Sequence, residues 1–532
     1  MLGLRGFLKK INFQHLVLTL IPLFVILTLY IRPITLSWGD MGRYLLNGKL
    51  FYDGNFEFIF KNYLSYTNPE FNLVNHHWLT GVIFYTLYIW GDFTLLSAFH
   101  IFLVLCNASL CLLLARKKST TAIASSVFLF CLYGLGVRTE LRPELFSVLF
   151  MLVYYALLES HLNKNISIKT LYFILLPLQV LWVNLHIFFP FGPLVIFSFI
   201  LFAKVTLKNK RICLNLLFLL ISVSAVCILN PNFIKGAIIP LTIYSNFGLD
   251  MGEDNNIFRF IDTDPILVLL VLFYTFLSVG VVYLLYNKNR KAFLDQLSII
   301  LLTVFFAIAS IFMYRMLPFY TYFGIILLSR VANIYLHGLS TSYRAKLNTY
   351  LRRFVVLYGL AIIVALFAVR DTYLGLKRSE VPTLNFLRST NLNGPIFNNF
   401  NTGSFGAFAF LDEPKLFLDN RPEAQPKEFF TEVYLPILQS REIWEELAAS
   451  YGFKTVVLSI ISDTDLSISL SEYLINTGEW KLVYISNPHI VLVKDIPENH
   501  GIIDKYGYND HQALVEIFFL QQELRENLQF TN

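Results

Sequence analysis

Asp40, Arg43, His77, Arg138, Glu140, Arg142, Glu144, His186 and Arg315 stand beside or between long apolar runs, with Glu57 and His76 close by in the first polar stretch. Ionisable groups next to hydrocarbon are costly and tend to mark function. Arginine forks grip phosphate bidentately. A carboxylate can take the proton of a hydroxyl as that hydroxyl attacks. A guanidinium or imidazolium can stabilise the charge that gathers on a departing phosphate. Together these groups suit a phosphate-bearing lipid and the transfer of a sugar from it. Each residue also has a plainer reading. Asp40 could cap a helix starting at Met41. Arg142 and Arg315 could snorkel from helix ends. His186 could make a structural hydrogen bond near the interface. The adjacent His76 and His77 side chains diverge, and no further ligands stand at metal-binding spacing, so no metal site is expected. A divalent cation is compatible with the set, but no residues mark a place for it.

The elements that must position these groups are transmembrane helices. The chain of 532 residues is 56% hydrophobic and 15% charged, against about 25% charged in soluble domains. Apolar runs alternate with short basic breaks from Leu16 to about Val369, and the remainder has a soluble composition. A span needs about 17–25 apolar residues. About eleven are expected: 14–31, 93–115, 120–136, 145–159, one ending near His186, one ending at Lys204, one leading to Asn230, one from 265 to Lys288, one exiting at Tyr314, one returning from Arg315, and 354–370. The expected fold is therefore a polytopic α-helical membrane domain, residues 1–370, followed by a soluble α/β domain, residues 371–532. Polar loops at 32–92 and 230–265 interrupt the first domain.

Charge placement sets the sidedness. Lys9-Lys10 precedes the first run, which has no A-x-A cleavage pattern and reads as an uncleaved signal anchor. The segment from Trp78 to Trp90 is only 13 residues long and tryptophan-flanked, which suits a helix lying on the outer interface. Keeping it there puts every Lys/Arg-dense short loop inside and gathers the candidate residues at one external mouth. The N-terminus is then cytoplasmic and the C-terminal domain extracytoplasmic. Basic residues sit in these loops and form no stripe with interleaved aromatics, so nucleic acid is not expected as a partner. The five cysteines lie in or beside apolar runs, as small packing residues do.

In the C-terminal domain, strands are expected at Pro395–Asn398, Lys415–Asp419, Lys454–Ile460, Lys481–Ile485 and His489–Val493. Helices are expected at Pro382–Arg388, Arg441–Ala449, Asp465–Ile475 and about 510–526.

Motifs in this order carry a family resemblance. The first loop reads Ser-Trp-Gly-Asp40-Met-Gly-Arg43-Tyr, then Asp53-Gly54, Leu-Ser-Tyr-Thr67 and Asn-His-His77-Trp78-Leu79. Later come Arg142-Pro-Glu144, Trp182-Val-Asn184-Leu-His186, Asn230-Pro231-Asn232 and Tyr-Arg315-Met-Leu-Pro318. Phe-Leu-Asp419-Asn-Arg421-Pro-Glu423 follows, with segments around Trp444 and Trp480. The chain resembles the GT-C superfamily of polytopic glycosyltransferases, in the branch that holds protein O-mannosyltransferases and aminoarabinose transferases. The resemblance implies a polyprenyl-phosphate-sugar donor, transfer on the outer face and a base just after the first helix, where Asp40 stands. It also implies a second acid before the fourth helix. There the usual Asp-Pro order is replaced by Arg142-Pro143-Glu144, which leaves Glu144 and Glu140 both open. His77 stands where relatives often carry Glu.

The expected function is sugar transfer from a polyprenyl-phosphate donor to an extracytoplasmic hydroxyl with inversion. Asp40 and Glu144 are the catalytic candidates. Arg43, His77, Arg138, Glu140, Arg142, His186 and Arg315 are the substrate contacts. Membrane lipid surrounds the chain, and the acceptor is a saccharide, lipid or protein. A bacterial inner membrane is the expected location. Two rival readings are a flippase for a lipid-linked saccharide and a non-catalytic envelope-assembly protein. Against the flippase, no ionisable relay or pair of broken helices lies at mid-bilayer.

Overall fold

The computed structural model describes residues 13–411, 416–461 and 464–531. Lys9 and Lys10 fall outside them. Among the described residues, eight helices are long and apolar enough to cross a membrane: Phe13–Tyr30, Trp78–Arg116, Glu144–Leu162, Ile168–Leu185, Lys210–Ile228, Pro265–Lys288, Tyr314–His337 and Thr341–Val369. Even 18 residues of α-helix extend about 27 Å. The other expected spans are helical but shorter: Thr121–Phe130, Phe191–Leu207 and Leu297–Phe312. The first of these breaks at Cys131 before resuming over Leu132–Gly136.

Local chemistry starts these helices where polar residues interrupt the apolar runs. Asp264 accepts a hydrogen bond from the Leu267 amide at 2.9 Å, with Pro265 opening the helix. Ser167 caps Ile168–Leu185 through the Thr170 amide, and Ser340 caps Thr341–Val369 through the Tyr343 amide. That last helix begins earlier than expected and takes in the basic stretch Arg344–Arg353. Its apolar window is only 11% buried, and that of Pro265–Lys288 only 28%. Side chains such as Phe276, Leu357 and Val364 stand mostly exposed. Continuous apolar surface of this extent is untenable in water and is what lipid solvates. The chain is an integral, multi-pass membrane protein.

Trp78–Arg116 runs through the expected interfacial segment. Its backbone leaves helical geometry at Gly91 and Asp92, where Asp92 has φ 56°, so the segment ending at Trp90 is a separate rod. The polar stretch 230–265, expected as a loop, contains the helix Phe233–Thr242 and three short turns of 3₁₀ helix.

The chain divides into two compact units. One comprises the segment ending at Arg32, Ser97–Leu229 and Met251–Leu374. The other collects Pro33–Leu96, Asn230–Asp250 and everything from Gly375 onward. The second unit holds a four-stranded sheet of β1 (Ile396–Asn398), β2 (Thr455–Ser459), β3 (Trp480–Ser486) and β4 (His489–Lys494), in the order β1-β2-β4-β3. β1 and β2 are parallel, and the other pairs are antiparallel. Every β2 residue is buried. The helices Val381–Ser389, Arg441–Tyr451, Thr464–Asn476 and Asp510–Thr531 match the expected positions.

The strand expected at Lys415–Asp419 is not formed, and Lys415 lies outside the described residues. Leu416, Phe417 and Leu418 are buried, but side chains take up much of their backbone hydrogen bonding. The Phe417 amide donates to Asn398 Oδ1 at 2.8 Å, Thr67 donates to the Phe417 carbonyl, and Asn398 Nδ2 donates to the Leu418 carbonyl at 2.8 Å. Buried backbone groups need partners, and a ladder is only one way to supply them.

Candidate active site

Asp40 lies at the end of a loop held within the second unit by a buried carboxylate. Glu380 accepts from the Leu36 amide at 2.8 Å and from the Ser37 amide at 3.1 Å. Burial pushes the Glu380 carboxyl up in pKa, against the pull of those amides. The helix Met41–Tyr52 begins directly after Asp40. Asp40 occupies the cap position without making a side-chain cap bond. Its carboxylate turns to other groups. Arg43 Nη2 lies 2.9 Å from Oδ1, Asn420 Nδ2 donates to Oδ1 at 2.7 Å, and the Tyr44 hydroxyl donates to Oδ2 at 3.1 Å. The Asp40 side chain keeps 20% of its surface open, while that of Arg43 keeps 5%.

One of these partners, Asn420, comes from the motif around Asp419. Arg421 forks onto Asp419, with Nε 2.8 Å from Oδ1 and Nη2 2.7 Å from Oδ2, and both side chains are almost fully buried. Ser65 Oγ accepts from the Asp419 amide at 3.0 Å. This pair fixes the turn from which Asn420 reaches Asp40. Close packing holds the opposite side. A methyl group on Gly42 would stand 1.8 Å from the Ser404 carbonyl oxygen, and one on Gly403 would stand 2.5 Å from the Asn420 amide nitrogen. Only glycine lets Met41–Tyr52 and Gly403–Ala409 approach this closely. Burial opposes the charge on Arg43, but Asp40, Tyr44, Glu423 and Asp419 outweigh it and hold the guanidinium above its ordinary pKa. Burial raises the Glu423 carboxyl against the opposing pull of Arg43 and Arg421. His77 packs edge-on against the Tyr44 ring at 5.6 Å, and its own ring lies 3.9 Å from that of His76.

A second constellation lies in the other unit. Glu144 opens the helix Glu144–Leu162, after Pro143. Its Oε1 is 3.2 Å from Arg138 Nη2 and 3.9 Å from Arg315 Nη2. Arg315 Nη1 also meets Asp254 Oδ1 at 2.9 Å, and its guanidinium lies over the Phe188 ring at 5.6 Å. Arg142 and His186 act on the same Glu144 carboxylate. His186 Nδ1 contacts Ser147 Oγ at 2.7 Å, and the Trp182 indole donates to that same oxygen at 2.8 Å. Two guanidinium groups thus meet one carboxylate, with the positive charge of Arg142 and His186 acting on it as well, a set suited to an anion. Glu140 acts on Tyr30 and, together with Arg138, on Tyr314.

The expected residues therefore form two sets. Asp40, Arg43 and His77 belong to one unit; Arg138, Arg142, Glu144, His186 and Arg315 belong to the other. Sequence reasoning missed Asn420, Tyr44, Ser147, Trp182 and Asp254 as site partners. The Asp419-Asn-Arg421-Pro-Glu423 motif was the available signal for Asn420, since charged residues directly after a buried Phe-Leu pair need partners. Among the described residues, no three His, Cys, Asp or Glu side chains gather as a metal-binding group.

No protein-family model matches the chain, and no curated protein matches it in sequence. Among solved structures, it is similar to the oligosaccharyltransferase AglB of the archaeon Archaeoglobus fulgidus, in complex with an inhibitory peptide and a dolichol-phosphate. That match has TM-score 0.58 at 13% identity and covers 91% of this chain and 75% of the other. It is also similar to the Archaeoglobus fulgidus oligosaccharyltransferase tethered through a disulfide to an acceptor peptide containing the NVT sequon. There the TM-score is 0.56 at 13% identity, with 92% and 74% of the two chains covered. AglB is a GT-C enzyme, and at this identity the likeness concerns the fold. The match takes in apolar helices and sheet-bearing segment alike, so the chain carries the polytopic GT-C membrane fold.

Proposed function

We propose that the chain is a glycosyltransferase that moves a sugar from a polyprenyl-phosphate-linked donor to an acceptor hydroxyl on the extracytoplasmic face. The observation that carries this reading is the Asp40 carboxylate, part-exposed yet fixed by Arg43, Asn420 and Tyr44. The acceptor oxygen attacks the anomeric carbon from the face opposite the phosphate, and its proton passes to Asp40 Oδ2 as the Tyr44 hydroxyl gives way. The bond from the anomeric carbon to the phosphate oxygen breaks, and its electron pair leaves with the polyprenyl phosphate. Configuration inverts. In the other unit, Arg142 and Arg315, with Arg138 beside them, are the proposed phosphate ligands, and Glu144 would keep these guanidinium groups aimed. The dolichol-phosphate held by the similar archaeal enzyme supports a lipid-linked donor.

The test is Asp40→Asn in nanodisc-reconstituted protein, read as transfer of labelled sugar from a polyprenyl-phosphate donor. Loss of a general base lowers turnover by about 10²–10⁴-fold, and the elution profile should stay that of a folded, monodisperse protein. Near-normal turnover would sink the assignment.

A further inference from the structure

A cavity of about 620 Å³ opens in the sheet-bearing unit, away from the Asp40 carboxylate but on the same helices. Its volume falls in the range of small-ligand sites, about 300–1,000 Å³. Lys49 and Arg388 line it, with the rings of Tyr85 and Tyr88 and the amides of Asn391 and Asn393. No Asp or Glu lines it among the described residues. Lys49 pairs with Asp53 at 2.7 Å, outside the lining. Arg388 has no carboxylate partner among the described residues. It is held by the Phe408 carbonyl at 2.9 Å, by the Phe408 ring at 4.4 Å and by a hydrogen bond to Tyr88. A guanidinium fixed in place by neutral groups, with no described carboxylate against it, suits an anion.

We propose that this cavity binds an anionic saccharide, as the extended part of the acceptor. The inference rests on the transferase reading of Asp40. Tyr85 and Tyr88 form a stepped aromatic wall, with ring centroids 6.1 Å apart, on which the apolar faces of sugar rings can stack. Asn391 is exposed at the rim, while Asn393 is tied to Asn499 at 2.9 Å and so is held rigid. Such amides suit hydroxyl-rich ligands. A peptide is less well served, because binding an extended peptide calls for an open strand edge and no strand contributes to the lining. Lys49 lies nine residues beyond Asp40, and the helix Met41–Tyr52 carries it about 13 Å along its axis. A short oligosaccharide spans that distance, so a chain seated in the cavity could present its end to Asp40.

The experiment measures binding to full-length protein in nanodiscs with no donor present. The probes are trigalacturonate, a neutral galactose trisaccharide and a hexaglutamate peptide. Trigalacturonate should bind more tightly than the neutral trisaccharide, and Arg388→Gln and Lys49→Gln should each weaken it roughly tenfold, as expected for losing one charged contact. Asp40→Asn protein should bind it unchanged, which separates this proposal from the assignment of the base. Equal binding of the neutral sugar, tighter binding of the peptide, no binding of trigalacturonate, or indifference to both substitutions would each overturn it. Sugar transfer that persisted without trigalacturonate binding would leave the transferase reading standing alone.

Discussion

Asn420 donates its side-chain amide to Asp40 Oδ1 at 2.7 Å across 380 residues of sequence. The same amide also reaches the Gly39 carbonyl, at 3.2 Å. It therefore fixes both the carboxylate and the loop that carries it. A hydrogen bond to a charged group contributes about 1.5–3 kcal/mol. Asn420→Ala should lower kcat at least tenfold with KM for the donor little changed. It should also move the acidic limb of the kcat–pH profile to higher pH, because Asp40 loses a donor that favours its charged form. An unshifted limb would make Asn420 merely structural.

The Asp419–Arg421 pair carries a different load. Both side chains are almost entirely buried and bonded through two parallel contacts. Removing one partner leaves the other charge uncompensated, at a cost of about 3–5 kcal/mol. Arg421→Ala should therefore lower the melting temperature clearly. Arg421→Lys should recover little of it, since an ammonium cannot make the fork. Thermal unfolding in nanodiscs reads both outcomes.

Arg315 bridges Glu144 and Asp254. If it holds the donor phosphate, Arg315→Ala should raise the donor KM by roughly tenfold or more, because truncating a charged contact costs about 2 kcal/mol or above. The acceptor KM should change little. Donor titration at saturating acceptor separates the two, and an equal rise in both would remove Arg315 from the phosphate.

Gly42 sets the contact between Met41–Tyr52 and Gly403–Ala409. Gly42→Ala drives a methyl group into the Ser404 backbone, and overpacking of this kind costs about 1–3 kcal/mol. The variant should be both less stable and less active. Full activity at unchanged melting temperature would mean the helices separate freely.

His489 gives the sheet-bearing unit a pH signature. Burial lowers its pKa to about 3, and its ring packs on Phe405 at 4.2 Å. The unfolded chain takes up this proton below about pH 6.5, while the folded chain resists until near pH 3. The stabilisation is therefore complete above pH 6.5 and is lost as pH falls towards 3. His489→Phe should flatten the fall of melting temperature with acid over that window. Carboxylates contribute to the slope in both proteins, so the difference between them is the measurement. Identical slopes would show that His489 titrates normally.

Much of the scaffold was readable in advance. Apolar length located the helices, and short apolar runs between turn residues located β2, β3 and β4, because those patterns are local. The Asp40–Arg43 pair was also within reach, since residues three apart share a helix face. The Asn420 contact was not, because nothing in the spacing of residues 40 and 420 encodes it. The failed strand at Leu416–Leu418 shows the same limit. Its apolar run was real, but the side chains of Asn398 and Thr67 took backbone partners that a ladder would have supplied. Asp254 was visible as one acid among several in a polar stretch, with no local feature to single it out as the partner of Arg315.

The sheet-bearing unit is stitched from three separated segments, the earliest starting at Pro33 and the last at Gly375. During synthesis, Asp40 leaves the ribosome 380 residues before Asn420. At translation rates of about 5–20 residues per second, the interval is roughly 20–75 seconds. Throughout it, the bilayer-inserted nascent chain lacks the amide that orients its carboxylate. If Asp40 is the base proposed above, competence arrives late in biogenesis, and a chain released before Asn420 is inserted but inert.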